Sequence, residues 1–390
     1  MISVDAALEQ LFALVSPVSM EPVPIAAANG RVLAQDVNTS RNQPPFAASA
    51  MDGYAVDATA VAAGVTFRVI GEAAAGHRFD GSAGPGDAVR IFTGAPLPDG
   101  TDRVVIQEDV SRDGDQITIH EGFDERAYVR PAGADFTAGA MLGAPRLLTP
   151  SDIALLAAMN IPNVPVRRKP IIAIIPTGDE LVQPGEAPGP DQIIASNSYG
   201  LAALVENLGG TARLLPIARD TVPALTLAFD LAAEADLIVT IGGASVGDHD
   251  LVGDVAETLG LERSFYKIAM RPGKPLMAGR MRDAAMIGLP GNPVSAMVCG
   301  HVFLAPVIRK MLGLGAAPAP REGHTLAKAV GPNGPREHYM RAVCDTSGVT
   351  IFDRQDSALL SVLAKANCLA IRPINDPARS AGDEIDIIRI

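Results

Sequence analysis

The run Ile171-Ile172-Ala173-Ile174-Ile175-Pro176-Thr177-Gly178-Asp179-Glu180 decides the fold. Its first five residues are apolar without a break, and four of them are β-branched. A half-exposed strand alternates apolar and polar residues, whereas an unbroken run reads as a parallel strand buried on both faces. Such a strand needs helical cover, and the downstream sequence supplies it. Tyr199 to Leu208 reads as a helix ended by Gly209-Gly210, Arg213 to Ile217 as a second strand, and Pro223 to Glu234 as a helix. Asp236 to Ile241 and Met286 to Leu289 read as the third and fourth strands. A long helix then runs from Pro293 to Leu312, with Gly313 stopping it and Pro306 kinking its interior. This alternation over residues 166–313 is the pattern of a doubly wound α/β domain.

The flanking sequence has a different texture. Near the N-terminus, Ser3 is placed to cap a helix whose apolar face is Val4, Leu8, Leu11, Phe12 and Val15. Residues 18–45, rich in proline and small side chains, read as an extended connection with little core of its own. Between 46 and 135, short apolar stretches (67–70, 88–92, 103–106 and 116–119) are separated by Gly, Pro and Asp, the pattern of a small β barrel or sandwich. A helix follows over 150–160, with Thr149 as cap, Pro150 in the favoured first position and Asp152 facing the dipole. From about residue 318 strands return at 339–343, 349–352, 368–371 and 384–390, giving a second small β domain.

The 390 residues accommodate about two to four domains. With 44 acidic against 32 basic residues the net charge is −12, which argues against a nucleic-acid-binding protein. Anionic small molecules remain compatible, because a few placed cations can override the global charge inside a cleft. Three scattered cysteines, Cys299, Cys344 and Cys368, fit free thiols in a reducing compartment. The first residues lack the basic and apolar regions of a signal peptide, and no apolar run reads as long enough to span a bilayer, so a cytoplasmic location without membrane contact is expected.

In open α/β sheets ligands bind beyond the carboxyl ends of the strands. Four segments occupy such positions: 176–180, 218–220, 242–250 and 290–295. Gly242, Gly243 and Gly247 would let backbone N–H groups approach a phosphate or pyrophosphate, and Pro293 with Ser295 opens a helix that suits an anion. For any one of these loops a tight strand-to-helix turn without a ligand is the alternative; four on one sheet edge weaken it. Glu180, Asp220, Asp248 and Asp250 follow the same strands, and clustered carboxylates beside a phosphate site fit Mg²⁺. For each of these acids a helix cap or a solvated loop acid is the alternative, plausible for Asp179 and Asp248 and weaker for Glu180, Asp220 and Asp250. Lys267, Arg271 and Lys274 place three cations within eight residues around Pro272-Gly273, a rigid loop suited to an oxyanion, with a solvated basic turn as the alternative. His77, His249 and His301 are isolated and receive no catalytic role. A catalytic triad, a P-loop and a GxGxxG motif are all missing, which excludes triad hydrolases and dinucleotide enzymes.

These loops, taken with segments of the first β region, resemble the molybdopterin molybdenumtransferase family. The resemblance rests on Ser49-Ala50-Met51-Asp52-Gly53-Tyr54-Ala55, Thr93-Gly94-Ala95-Pro96, Arg130-Pro131-Ala132-Gly133-Ala134-Asp135, Thr177-Gly178-Asp179-Glu180-Leu181, residues 242–247, Arg271-Pro272-Gly273-Lys274-Pro275 and residues 289–295, in order across nearly the whole chain. It implies an elongated four-domain subunit of class α/β plus β. The domains would be a linker and dimerisation unit at 1–45 and 136–165, a small β domain at 46–135, a molybdopterin-binding α/β domain at 166–317 and a C-terminal β-barrel at 318–390.

The reaction it implies is Mg²⁺-dependent hydrolysis of adenylylated molybdopterin with insertion of molybdate, releasing AMP and molybdenum cofactor. A homodimer is implied, with the cleft between the α/β domain of one subunit and the first β domain of the other. Molybdopterin adenylyltransferase would supply the substrate, and apo-molybdoenzymes or their chaperones would take the product. Carried over by position, Asp52, Thr93, Asp135, Glu180, Asp220, Asp250, Lys267, Arg271 and Lys274 match the catalytic residues, with Asp220 and Asp250 as metal ligands. Thr177, Gly178, Gly242, Gly243, Ser245, Gly247, Pro290, Gly291, Asn292, Pro293, Ser295 and Arg341, with Ser357 or Ser361, match substrate contacts. Arg271 departs from the lysine many members carry, and the two are not interchangeable at a bidentate site. The rival readings are a molybdopterin adenylyltransferase and a non-catalytic molybdopterin-binding scaffold. Molybdate and tungstate, alike in size and charge, are not distinguished.

Overall fold

In the computed structural model, which describes residues 1–242 and 251–390, the apolar run becomes the strand Ile171–Pro176 inside a six-stranded sheet. The strands lie in the order Thr211–Leu214, Ile171–Pro176, Leu237–Ile241, Ala284–Leu289, Met277–Met281 and Leu261–Tyr266. The first four run parallel to one another, Met277–Met281 runs antiparallel to them, and Leu261–Tyr266 pairs antiparallel with Met277–Met281. Those last two strands, and the helix Leu251–Thr258, are not among the elements expected from sequence. Leu261–Tyr266 is an edge strand exposed over Glu262, Arg263 and Ser264, so it lacks the apolar signature that betrays the central strands.

Helices cover both faces, as the unbroken apolar strands require. Val4–Leu14, Asn197–Asn207 and the run from Pro293 pack on one face, where Leu8, Leu11, Ile172, Leu201, Val239 and Phe303 share a core. Val222–Leu231 and Leu251–Thr258 pack on the other around Ile175, Phe229, Ile238 and Val255. The opening helix, capped by Ser3 Oγ accepting from the Ala6 amide at 3.1 Å, therefore spends its apolar face on the α/β core.

The long helix carries a defined defect. Pro293–Cys299 and Ala305–Met311 are α-helical, while Gly300–Leu304 between them is one turn of π-helix in which the Ala305 amide reaches back to the Gly300 carbonyl. Pro306 has no N–H and its ring clashes with the carbonyl four residues earlier, so the wider turn just ahead of it relieves the conflict. Pro293–Met311 is also, by length and composition, apolar enough to cross a membrane: 19 residues with mean hydropathy 1.3. This corrects the expectation that no run is long enough. The helix is 72% buried inside the protein, as a core helix is.

Residues 18–45 differ from expectation. Met20–Pro24 pairs with Asn163–Arg167, and Val32–Leu33 pairs with Arg146–Leu147, in a four-stranded sheet. Ala28 and Leu33 join Leu142, Leu148, Leu156, Met159, Val164 and Val166 in a separate core. Every strand partner comes from more than a hundred residues downstream, which is why local pattern cannot reveal it. The helix Pro150–Ala158 closes this unit and starts with a capping box between Thr149 and Asp152.

The region 46–135 forms a six-stranded sheet whose second strand is Gly53–Val56. That segment, turn-like by composition, is wholly buried. Gly53 permits it, because a Cβ there would lie 2.1 Å from the Val105 carbonyl oxygen on the neighbouring strand. The C-terminal strands Glu337–Asp345, Gly348–Ile351, Cys368–Arg372 and Glu384–Arg389 form a small barrel with Glu322–Thr325. Its outermost strand, Met270–Arg271, is lent by the basic loop of the α/β domain.

Candidate functional site

A cavity of about 620 Å³ opens at the carboxyl ends of the parallel strands. Of the residues singled out from sequence, Thr177, Gly178, Glu180, Asp220, Gly242, Pro290, Gly291, Asn292 and Pro293 line it. They come from the ends of three parallel strands and from the segment that follows the second, as the doubly wound topology dictates.

Glycine is required at two of these positions. Gly242 has φ +101°, and a Cβ there would lie 2.7 Å from the Thr177 carbonyl oxygen. Gly178 has φ +143°, and its missing Cβ leaves room for the Glu180 carboxylate, whose Oε2 would lie 2.4 Å away. The N–H groups do not all point at a ligand, however. Gly242 donates to the Leu289 carbonyl at 3.1 Å and Gly178 to the Ala218 carbonyl at 3.1 Å. Glycine serves close backbone approach at Gly242 and makes room for a carboxylate at Gly178, and both amides are spent on extending the sheet.

The acids are crowded. The Asp220 amide donates to Asp179 Oδ1 at 3.2 Å, and Arg219 Nη1 donates to the Asp179 carbonyl at 2.5 Å. The Asp220 carboxyl is pushed above the ordinary aspartate range by partial desolvation, then by the negative charges of Asp179 and Glu180. Among the described residues no set of three candidate metal ligands comes together. Gly243, Ser245, Gly247 and Asp250 lie outside the described residues, as do Asp248 and His249.

The basic loop approaches the cavity but contributes only Pro275 to its lining. It is closed on itself, with the Ile268 amide donating to the Lys274 carbonyl and the Lys267 amide to the Leu276 carbonyl. Lys267, at φ +73°, holds its ammonium 4.8 Å from the centre of the Tyr266 ring. Arg271 is exposed and stands in register opposite His338 of the barrel.

Ser295 is buried within the helix that begins at Pro293 and does not line the cavity. Arg341 does not line it either. Its side chain is 1% exposed and engaged: Nε donates to Gln355 Oε1 at 3.2 Å and Nη1 to the Asp356 carbonyl at 2.9 Å. Through these bonds it holds the loop whose Ser357 carbonyl accepts from the Val294 amide at 3.0 Å and whose Ala358 closes the cavity.

Asp52 and Thr93 do not line this cavity; they meet each other beside the sheet of residues 53–119. The Thr93 amide and its Oγ1 both donate to Asp52 Oδ1 at 2.8 Å. The two bonds, backbone first, hold the Asp52 carboxyl below its ordinary range. Asp135 is exposed on a separate turn, where its amide donates to the Gln43 carbonyl.

Sequence reasoning missed one wall. Ile193, Ile194, Ser196, Asn197 and Ser198 line the cavity, and Asn197 Nδ2 donates to the Gly291 carbonyl at 2.7 Å. The available signal was the apolar pair followed by Ser-Asn-Ser at a helix start, a composition typical of caps.

Three family models match in succession. "MoeA N-terminal region (domain I and II)" covers residues 2–160, "Probable molybdopterin binding domain" residues 173–310, and "MoeA C-terminal region (domain IV)" residues 324–390. The chain is 36% identical to a molybdopterin molybdenumtransferase of Nostoc sp. over 95% of its own length and 88% of the relative. It is 34% identical to the protein of that name from Haemophilus influenzae over 99% and 98%. It also superposes on a crystal structure of the molybdopterin biosynthesis MoeA protein of Pyrococcus horikoshii with TM-score 0.87, at 29% identity, covering 100% of this chain and 99% of that one.

Proposed function

The chain belongs to the molybdopterin molybdenumtransferase family, and from that premise we propose that it transfers molybdenum from molybdate to adenylylated molybdopterin, releasing AMP and molybdenum cofactor. The observation that carries the reading is the cavity itself, where Gly178, Gly242 and Gly291 share one space with Glu180 and Asp220.

The donor set fits a divalent cation. Magnesium usually takes one or two carboxylates and completes its shell with substrate phosphate and water. Glu180 and Asp220 provide that pair, with Asp250 as the further ligand expected from sequence. The Asp220 carboxyl is raised first by desolvation and then by the charges of Asp179 and Glu180, and a bound cation would relieve that repulsion. When bound, Mg²⁺ polarises the phosphoryl oxygens of the adenylate. The chain's own residues do the rest. Pro290 to Pro293 shape the wall at the start of a helix, where the dipole favours a phosphate. Asn197 fixes that wall through the Gly291 carbonyl. Lys267, Arg271 and Lys274 supply the charge for the molybdate dianion, and Arg341 holds the loop that closes the cavity beside them.

Asp52 and Thr93 act across a homodimer in this reading: each subunit presents its Asp52–Thr93 pair to the cavity of the other. The substrate then comes from a molybdopterin adenylyltransferase, and the product goes to apo-molybdoenzymes or their chaperones. The decisive experiment incubates the purified protein with adenylylated molybdopterin, Mg²⁺ and molybdate, following AMP and cofactor. AMP release that depends on molybdate, with product that activates an apo-molybdoenzyme, is expected. Tight binding without AMP release overturns the enzymatic reading in favour of a carrier.

A further inference from the structure

Outside the cavity, the C-terminal barrel gathers a nucleophile, a base and two charges from three strands. Cys344 on Glu337–Asp345 holds its Sγ 3.6 Å from His324 Nδ1 on Glu322–Thr325. His324 Nε2 lies 3.1 Å from Glu322 Oε2. Arg389 on Glu384–Arg389 donates from Nε to the same Glu322 oxygen at 2.9 Å, and its Nη2 stands 3.5 Å from the Cys344 sulfur and 3.3 Å from His324 Nε2.

The tautomer follows from the partners. Hydrogen bonds from His324 and then Arg389 hold the Glu322 carboxyl below its ordinary range, so Glu322 is an ionised acceptor. His324 Nε2 stands between this acceptor and the Arg389 Nη2 donor; the shorter contact, 3.1 Å to Glu322 against 3.3 Å to Arg389, favours the proton on Nε2 and leaves Nδ1 as the acceptor facing the thiol. A nucleophile within reach of a base that a third group orients is the arrangement that activates a thiol for attack.

The exposure of its neighbours sets this thiol apart from Cys299, while Cys368 shares its core cluster and differs in its own burial. Cys299 and Cys368 are completely buried, and burial pushes the Cys368 thiol up to about 11. Cys344 is itself buried at 7% exposure, but the groups around it open outward: the His324, Glu322 and Arg389 side chains are 30%, 47% and 45% exposed.

We propose that Cys344 is a modification site, a thiol that small hydroperoxides oxidise to a sulfenic acid with His324 as the base. The sulfur attacks one peroxide oxygen and the O–O bond breaks. The thiol proton passes to His324 Nδ1 and on to the departing hydroxide, so that one thiol and one hydrogen peroxide give one sulfenic acid and one water.

The test treats the intact protein with hydrogen peroxide in the presence of dimedone and quantifies the adduct at each cysteine by mass spectrometry. Cys344 is expected to be trapped about tenfold faster than Cys299 or Cys368, and His324→Gln and Glu322→Gln are each expected to slow it by about tenfold. No adduct at Cys344, or trapping no faster than at the two buried thiols, overturns the proposal from the unsubstituted protein alone. An unchanged rate in a folded His324→Gln variant overturns the role of the base.

Discussion

Two aspartates with opposite shifts show how local surroundings set what a carboxyl does. Asp220 is pushed up, so the native state keeps a proton that the unfolded chain has already lost. Its contribution to stability therefore falls as pH rises through the ordinary aspartate range, and the cost persists above the folded value. Asp220→Asn is expected to stabilise the metal-free protein at neutral pH and to leave stability below the aspartate range nearly unchanged, which urea unfolding at the two pH values checks. The same substitution is expected to abolish AMP release. Asp52 shifts the other way, on two hydrogen bonds from one threonine. Thr93→Val keeps the amide bond and removes the hydroxyl one, so an NMR titration is expected to find the Asp52 carboxyl moved back toward its ordinary range. For the basic loop, Lys274→Ala removes one cation from the molybdate reading. It is expected to raise the molybdate concentration for half-maximal insertion by about tenfold, the scale of one charge-assisted bond; an unaltered dependence removes Lys274 from the oxyanion site.

Elements show which parts of the molecule local sequence can announce. The strand Ile171–Pro176 was legible because burial on both faces leaves nothing polar in it, and Pro150–Ala158 because its cap residues are local. The strands Met20–Pro24 and Val32–Leu33 were not, since their partners lie beyond residue 145 and pairing across that distance leaves no periodic trace. The site divided along the same line. Thr177, Glu180, Asp220 and Pro290 follow recognisable strands and came together, while Ile193 and Asn197, on a connection without a strong pattern, went unnoticed. Arg341 was legible as a cation but not as a buried one, because only the barrel's closure turns it onto Gln355 and Asp356. Arg341→Met is thus expected to loosen the loop it holds, seen as faster hydrogen exchange at the Val294 amide. Gly242→Ala meets both a disfavoured φ and the Thr177 carbonyl, and urea unfolding is expected to show a loss of about 1–3 kcal/mol.

On the scale of the whole molecule, the Asp52–Thr93 pair and the cavity are built on different sheets, and neither residue lines the cavity of its own chain. If the pair acts on the partner's cavity, mixing inactive Asp52→Ala and Asp220→Ala subunits restores one working site per mixed dimer, so each mixed dimer reaches up to about half the activity of an unsubstituted dimer. Recovery after mixing, measured as AMP release, is the expected outcome; no recovery from mixed dimers of proven composition means the pair does not act in trans. One further tie joins the parts. The strand Met270–Arg271 belongs by chain position to the α/β domain and by hydrogen bonding to the barrel, with the Glu337 amide donating to the Ala269 carbonyl and Arg271 in register with His338. The exchangeable module at the C-terminal end is therefore discontinuous. A chimera that imports a relative's barrel while keeping the native 267–275 segment splices two mismatched halves of one sheet, so a working graft has to carry both pieces.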